Sequence, residues 1–297
     1  MSILENAGKR WRKTIDWKLE QATELSGRVF GVETERRIRF FRRHGYLLHL
    51  RHPRSFNEKV FHRKYLERLP EAAMLADKFA VREWVASKGH RAILNEIYQV
   101  ARQAEEIDFD RLPSCFVLKA THGSGWNILV RDKSSVDLEA VRRKCQLWLQ
   151  SKFGLKRDET HYDLIDPKII VELYLIDGDT EVPPDYKFFV FHGKCHYIQV
   201  DSDRYIAHKR TFYNTRWEPQ PFVLEYPRAD CDQPRPATLE QMLQIAEDLG
   251  AGLDFCRVDL YSLNDCKVYF GEITLTPGAG TDRFRPVSAD FMLGKLW

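Results

Sequence analysis

The stretch RVDLYSLNDCKVYFGEITLTPGAG, from Arg257 to Gly280, holds the residues best suited to chemistry. It reads as two alternating strands joined by a tight turn, followed by a loop of small residues. With Asn264-Asp265-Cys266-Lys267 as a four-residue turn, Leu263 faces Val268 and Asp259 lies directly opposite Glu272. Like charges across a ladder cost roughly 0.2–1 kcal/mol, and a bound cation would offset that cost. In this register Arg257, Asp259 and Tyr261 share a face with Phe270, Glu272 and Thr274, while Val258, Leu260, Gly271 and Ile273 turn to the core. Two carboxylates, a hydroxyl and a guanidinium in one place suit Mg²⁺, a hard cation held by oxygen ligands together with phosphates. Arg257 could then grip a phosphate oxygen. The same residues would also make a solvent-facing strand pair neutralised by Arg257, and the hairpin alone leaves both readings open.

Two further stretches bear on that choice. In FVLKATHGSGWN, Lys119 ends a strand run and points away from Leu118. His122-Gly123-Ser124-Gly125 follows as a turn able to close over a phosphate with its N–H groups inward. A plain hairpin has the same outline. In IIVELYLIDGD, an apolar strand carries one acid, Glu172, and runs into a polar linker. Its main-chain edge could read an adenine, or Glu172 could be a simple edge charge.

The elements around these residues mix helix and strand without regular βαβ alternation. Residues 1 to about 50 read as two basic amphipathic helices with Trp11, Trp17, Leu19 and Leu25 as core positions. Ser55 and Glu58 form a capping box for the next helix, and Asp77 caps the one that stops at Gly89. A helix from Asp137 to about Phe153 carries an apolar stripe. YKFFVFHGKCHYIQVD reads as a hairpin turning at His192-Gly193, and Thr238 with Gln241 as a second capping box. The strands look antiparallel, which gives an α+β class.

Composition narrows the function classes. The chain has 297 residues, 43% hydrophobic and 30% charged, enough for a substantial core. A formal charge of +3 does not argue for nucleic acid. Arg36 to Arg54 is rich in basic residues, which reads as a solvated helix face or as a peripheral contact with an anionic membrane or a glycan. Six cysteines without a CxxC pattern read as reduced thiols in a cytoplasmic protein. No signal peptide or membrane span is legible. The P-loop, GxGxxG, HRD, DFG, HExxH and GxSxG patterns are all missing.

In their order, the pieces resemble the ATP-grasp superfamily from about residue 77 onward. That superfamily shows Asp-Lys at a helix start, a strand Lys before a glycine loop, and a hinge strand with Glu. It ends on an acidic strand paired to E-x-N-x-x-P-G. Here these are Asp77-Lys78, Lys119 before THGSG, Glu172-Leu173-Tyr174-Leu175, Asp259, and Glu272-Ile273-Thr274-Leu275-Thr276-Pro277-Gly278. RVDLY is similar to the metal strand of D-alanine–D-alanine ligases. SFNEK, DK-x-x-VREWV, FVLKATHGSG, DYKFFVFHGK, VDLYSL and YFGEITLTPGAG together resemble the TupA-like ATP-grasp family, named for a teichuronopeptide biosynthesis protein.

The resemblance implies an ATP-grasp fold, two α+β subdomains clasping ATP. It divides the chain into a mainly helical N-terminal segment (1–76), a lid subdomain (77–176) and a metal-binding C-terminal subdomain (177–297). Lys78 and Lys119 would hold the α- and β-phosphates, and the 122–127 loop, with His122, Gly123, Ser124 and Gly125, would close over the β- and γ-phosphates. Glu172, Leu173 and Leu175 would meet adenine, and Asp185 the ribose. Lys187 and the His208-Lys209-Arg210 cluster would bind phosphate or substrate. Asp259, Glu272 and Thr274 would hold Mg²⁺, with Arg257 near the transferred phosphate. Thr274 replaces the superfamily's Asn, a weaker oxygen ligand. Arg283 and Arg285 are candidates for holding the acceptor carboxylate, or surface charges.

The activity implied is ATP-dependent joining of a carboxylate to an amine through an acylphosphate. The substrates would be an amino acid and a uronic-acid sugar or peptide in cell-surface polysaccharide. Phosphoryl transfer to a sugar hydroxyl and a non-catalytic glycan-binding relative are the alternatives.

Overall fold

The computed structural model describes residues 18–27, 29–67, 69–154, 158–176, 185–202 and 208–297. By its internal contacts the chain divides into Met1–Pro53 and Arg54–Trp297. Among the described residues no helix is long and apolar enough to cross a membrane.

In the first unit, helix α1 (18–27) is tied to α2 (Val32–His44) by ion pairs from Arg39 and Arg42 to Glu20, 3.0 and 3.2 Å long. The face of α1 turned to α2 is therefore the polar stripe of Glu20, Thr23 and Glu24. Leu19 and Leu25, expected in a core, are 45% and 60% exposed for that reason, and Phe40, Leu48 and Leu50 are buried instead. Trp11 and Trp17 lie outside the described residues.

The second unit opens with α3 (Phe56–Tyr65), capped reciprocally by Ser55 and Glu58. After α4 (Ala72–Ala76), Asp77 Oδ1 accepts from the N–H groups of Phe79 and Ala80 and starts the turn into α5 (Val81–Ser87). Strands β1 (Ile97–Ala101), β2 (Phe116–Ala120), β3 (Asn127–Val130) and β4 (Ile169–Glu172) form an antiparallel sheet in the order β1-β4-β2-β3. Helix α6 (Leu138–Leu149) closes its core through Val141, Cys145 and Trp148.

The second sheet contains β5 (Asp185–Phe191), β6 (Lys194–Ser202), β7 (Lys209–Asn214), β9 (Phe255–Leu263) and β10 (Lys267–Thr274). Its order is β10-β9-β5-β6-β7, antiparallel throughout. One face packs on α7 (Leu239–Gly250) through Phe188, Val258, Leu260, Met242 and Leu249. The other face changes character along its length. Phe189, Phe191 and Phe255 bury one end under α3 and α8 (Val287–Gly294), while Asp185, Lys187 and Asp259 stand at the other end. A short pair, β8 (Val223–Leu224) with β11 (Phe284–Arg285), borders the aromatic end. Thr238 makes no side-chain cap at α7; its hydroxyl is buried and bonded to Ser262 Oγ at 2.7 Å.

The β9–β10 register departs from expectation near the turn. Leu263 pairs with Lys267, Val268 with Ser262 and Phe270 with Leu260, one residue out of step. Asn264 and Asp265 take left-handed conformations (φ 48° and 52°), which short polar side chains tolerate, and so close the shorter loop. An irregularity at Gly271 absorbs the difference and restores Asp259 opposite Glu272. Phe270 consequently packs in the core rather than on the face of Asp259. A Cβ on Gly271 would lie 2.9 Å from the Asp259 carbonyl oxygen and 3.1 Å from the Tyr261 ring. Gly271→Ala is therefore expected to destabilise the protein by about 1–3 kcal/mol through overpacking, read as a lower urea midpoint.

Candidate active site

Strand pairing builds the charged end of the second sheet. Glu272 on β10, Asp259 on β9 and Lys187 on β5 are successive partners and form one row across three strands. Arg257, opposite Thr274, stands in the next row. Its Nε donates to Asp259 Oδ1 at 2.7 Å, and its Nη2 to Asp259 Oδ2 at 2.7 Å, Glu272 Oε1 at 3.2 Å and Thr274 Oγ1 at 3.1 Å. Thr274 Oγ1 donates to Glu272 Oε1 at 3.0 Å. Lys187 pairs with Asp185 and lies 3.3 Å from Asp259 Oδ2.

The first sheet brings a second set of charges. Lys119 on β2 forms an ion pair with Glu172 on β4, whose side chain is buried. Lys78, just after Asp77, donates to the carbonyl of Gly123 in the glycine turn. Both sets line one cavity of about 410 Å³.

Of the residues singled out in the sequence, Lys78, Lys119, Ser124, Gly125, Glu172, Leu175, Asp185, Lys187, Arg257, Asp259 and Glu272 line this cavity. Gly123 and Thr274 bond to lining residues. Others lie elsewhere. The His122 ring is buried with Nε2 2.9 Å from the carbonyl of Trp148, so it does not reach over the cavity. Leu173 has its N–H bonded to Glu96 and its carbonyl to Asn95, and both main-chain groups are thereby taken. Lys209 pairs with Asp230, and Arg210 is locked between Asp201 (2.7 Å) and Asp282 (3.2 Å). Arg283 donates its N–H to Glu225, and Arg285 Nη2 donates to the Glu225 carbonyl. None of these four basic side chains lines the cavity.

Trp126 and Asn127 of the 122–127 loop and His208 of the basic cluster line it as well, while Arg82, Asn95, Asp201 and Tyr261 do so without having been assigned there. Arg82 had a signal, since it follows Lys78 by four residues at the start of a helix. Asn95 had none. It lies in a loop, where its amide fixes Leu173 and its carbonyl accepts from Arg82 Nη2 at 2.8 Å.

The charges perturb one another. Burial pushes Asp259 up to about 6, against Arg257 and Lys187, with Asp185 and Glu272 adding to the push. For Glu272 burial acts in the same sense, but Arg257, Lys78 and Lys187 outweigh it and hold the carboxyl below its ordinary value. Arg257 is held above its ordinary value: burial opposes its charge, and Asp259 and Glu272 overcome that. Burial lowers Lys78, with Glu272 opposing and nearby Lys119 assisting.

The residues present fit a nucleotide and a hard cation. Three oxygens, from Asp259, Glu272 and Thr274, already converge on one cationic nitrogen. Among the described residues no cluster of three or more His, Cys, Asp or Glu is arranged to hold a metal alone. Mg²⁺ needs none, being held by one or two carboxylates together with phosphates. Lys78 and Lys119 supply charge for those phosphates.

The sequence model of the TupA-like ATP-grasp family matches residues 58–297, and the chain belongs to that family. The chain is also similar to solved structures of synthetases and ligases. An N5-carboxyaminoimidazole ribonucleotide synthetase bound to ADP is 11% identical, with 69% of this chain and 46% of that one covered and a TM-score of 0.44. A D-alanine–D-alanine ligase from Bacillus anthracis complexed with ATP is 17% identical, with 69% and 55% covered and a TM-score of 0.40. An L-amino acid ligase from Bacillus licheniformis is 17% identical, with 75% and 49% covered and a TM-score of 0.46. The chain thus spans about half the length of these structures. A comparison with curated proteins returns no match.

The row predicts a pH-dependent weakness. Because the folded value of Asp259 is raised, its contribution to stability is complete below about pH 4 and is lost as pH rises through about 6. Lys187→Met removes an opposing cation and extends that loss to higher pH. The variant is expected to cost about 3–5 kcal/mol at pH 8 and clearly less at pH 5, measured by urea unfolding at both values.

Proposed function

We propose that this chain is an ATP-dependent carboxylate–amine ligase that releases ADP. One observation carries the reading: the Glu272–Asp259–Lys187 row with Arg257 faces the same cavity as Lys78 and Lys119. That is an arrangement of hard oxygens and cations suited to a metal-bound polyphosphate, and it lies in a chain of the TupA-like ATP-grasp family.

In this reading Lys78 and Lys119 neutralise the phosphates, and the Ser124–Gly125 turn lies over them. Glu172 and Leu175 border the base, and Asp185 steadies Lys187 beside the ribose and the transferred group. Asp259, Glu272 and Thr274 hold Mg²⁺, which supplies charge neutralisation at the phosphates when bound. Arg257 is aimed at the phosphoryl group in transit. A carboxylate oxygen of the substrate forms a bond to the γ-phosphorus as the bond to ADP breaks. An amine then bonds to the acyl carbon, phosphate leaves, and the nitrogen gives up a proton. Catalysis of this kind comes mainly from positioning and charge. The substrate class proposed from the family is an amino acid joined to a uronic-acid sugar or peptide of a cell-surface polysaccharide, made in the cytoplasm.

Two measurements test the reading. ATP with Mg²⁺, at 100 times the dissociation constant, is expected to stabilise the protein by about 2.7 kcal/mol, and Asp259→Asn/Glu272→Gln to remove the Mg²⁺-dependent part. A panel of uronic acids and amino acids incubated with ATP and hydroxylamine is then expected to give a hydroxamate with one member. A phosphorylated hydroxyl instead of a hydroxamate would identify a kinase, and no thermal shift with any nucleotide would sink the ATP reading altogether.

A further inference from the structure

We propose that Arg257 is the resident counter-cation of the Asp259–Glu272 pair and makes divalent-metal binding conditional on a polyphosphate. The proposal rests on the nucleotide reading above and adds an order to it: the metal enters when a phosphate offers the guanidinium another partner.

The geometry points to this role. The oxygens suited to a metal are the ones Arg257 Nη2 already bridges, at 2.7 Å to Asp259, 3.2 Å to Glu272 and 3.1 Å to Thr274. Nε fixes the other Asp259 oxygen at 2.7 Å, so the guanidinium grips that carboxylate in bidentate fashion along its Nε–Nη2 edge. The Arg257 side chain is only 13% exposed and the Asp259 side chain 5%, so water does little to screen the pair.

Charge balance gives the conditionality. Arg257, Lys187 and Lys78 stand against Asp185, Asp259 and Glu272, so the cluster is formally neutral. A dication entering alone would leave the cluster with two surplus positive charges and press against a guanidinium already bonded to the oxygens the metal needs. Lysine could relieve such crowding by losing a proton, whereas arginine cannot. A polyphosphate changes both terms, because it adds negative charge and offers the planar fork a new oxygen pair. Metal and polyphosphate should therefore each raise the other's affinity by the same factor. Arg257 is in this sense a positioning residue for the metal.

The test uses Mn²⁺ as probe, with free Mn²⁺ read by electron paramagnetic resonance, and the full chain as wild type and Arg257→Gln. Without nucleotide, Arg257→Gln is expected to bind Mn²⁺ roughly tenfold or more tightly than wild type. ADP is expected to raise the Mn²⁺ affinity of wild type by a larger factor than that of the variant. Should Arg257→Gln fail to fold, Arg257→Lys takes its place. An ammonium cannot grip Asp259 through two nitrogens as the guanidinium does, so a smaller gain in the same direction is expected. Equal Mn²⁺ affinity of wild type and folded variant without ADP overturns the counter-cation role. If wild type still binds Mn²⁺ with ADP in that case, the metal-site reading survives. If neither protein binds Mn²⁺ with ADP, although ADP alone raises the melting temperature, the carboxylates are no metal site and both readings fall.

Discussion

Two acids stand side by side on the edge strand of a sheet and its neighbour, and one of them is almost fully buried. Nothing about the rest of the second unit makes sense without the compensation this requires. Asp259 and Glu272 repel each other, and burial removes the water that would soften the repulsion. The protein answers with cations on three sides: Arg257 two residues along the same strand, Lys187 on the adjoining strand, and Lys78 from the turn before α5. Each of those cations is in turn steadied by a fixed oxygen, from Asp259, Asp185 and Gly123 respectively.

Holding that cluster still is the work of the opposite end of the same sheet face. Phe189, Phe191 and Phe255 continue the columns that begin with Asp185, Lys187 and Asp259, and they pack against Phe56 of α3 and the residues of α8. One strand thus supplies rigidity at one end and chemistry at the other, with no hinge between. Arg63 reinforces the aromatic end by donating to the carbonyl of Phe255 at 2.9 Å and stacking over Trp297. A site whose charges are mutually dependent gains most from a backbone that does not shift.

Much of this was legible because it is local or periodic. Strand alternation marked Arg257 and Asp259, and the Ser55 and Asp77 caps follow from single residue types at helix starts. The motif order indicated the family before any pairing was known. The misses share a different cause. Arg210 and Lys209 are basic residues whose partners, Asp201 and Asp230, are chosen by tertiary folding, and no spacing announces that they are already taken. His122 follows the same logic: the glycine turn is where the sequence puts it, but the ring finds a carbonyl of α6. Leu19 and Leu25 were misplaced because α1 meets α2 through charges rather than through its leucines.

Gly271 has a consequence that resembles a shift of reading frame. In an unbroken strand Val268, Phe270, Glu272 and Thr274 would all project to one side. In the protein the first two lie in the core with Ile273 and Leu275, and the last two stand among the cations of the cavity. Everything after Gly271 is read in the other phase, so one strand feeds apolar side chains to the core from both of its halves and still delivers two oxygens to the opposite side. An alternation pattern alone cannot encode that division. It takes one residue without a side chain, placed where the backbone of Asp259 leaves no room for a Cβ, to let a single strand carry two messages in sequence.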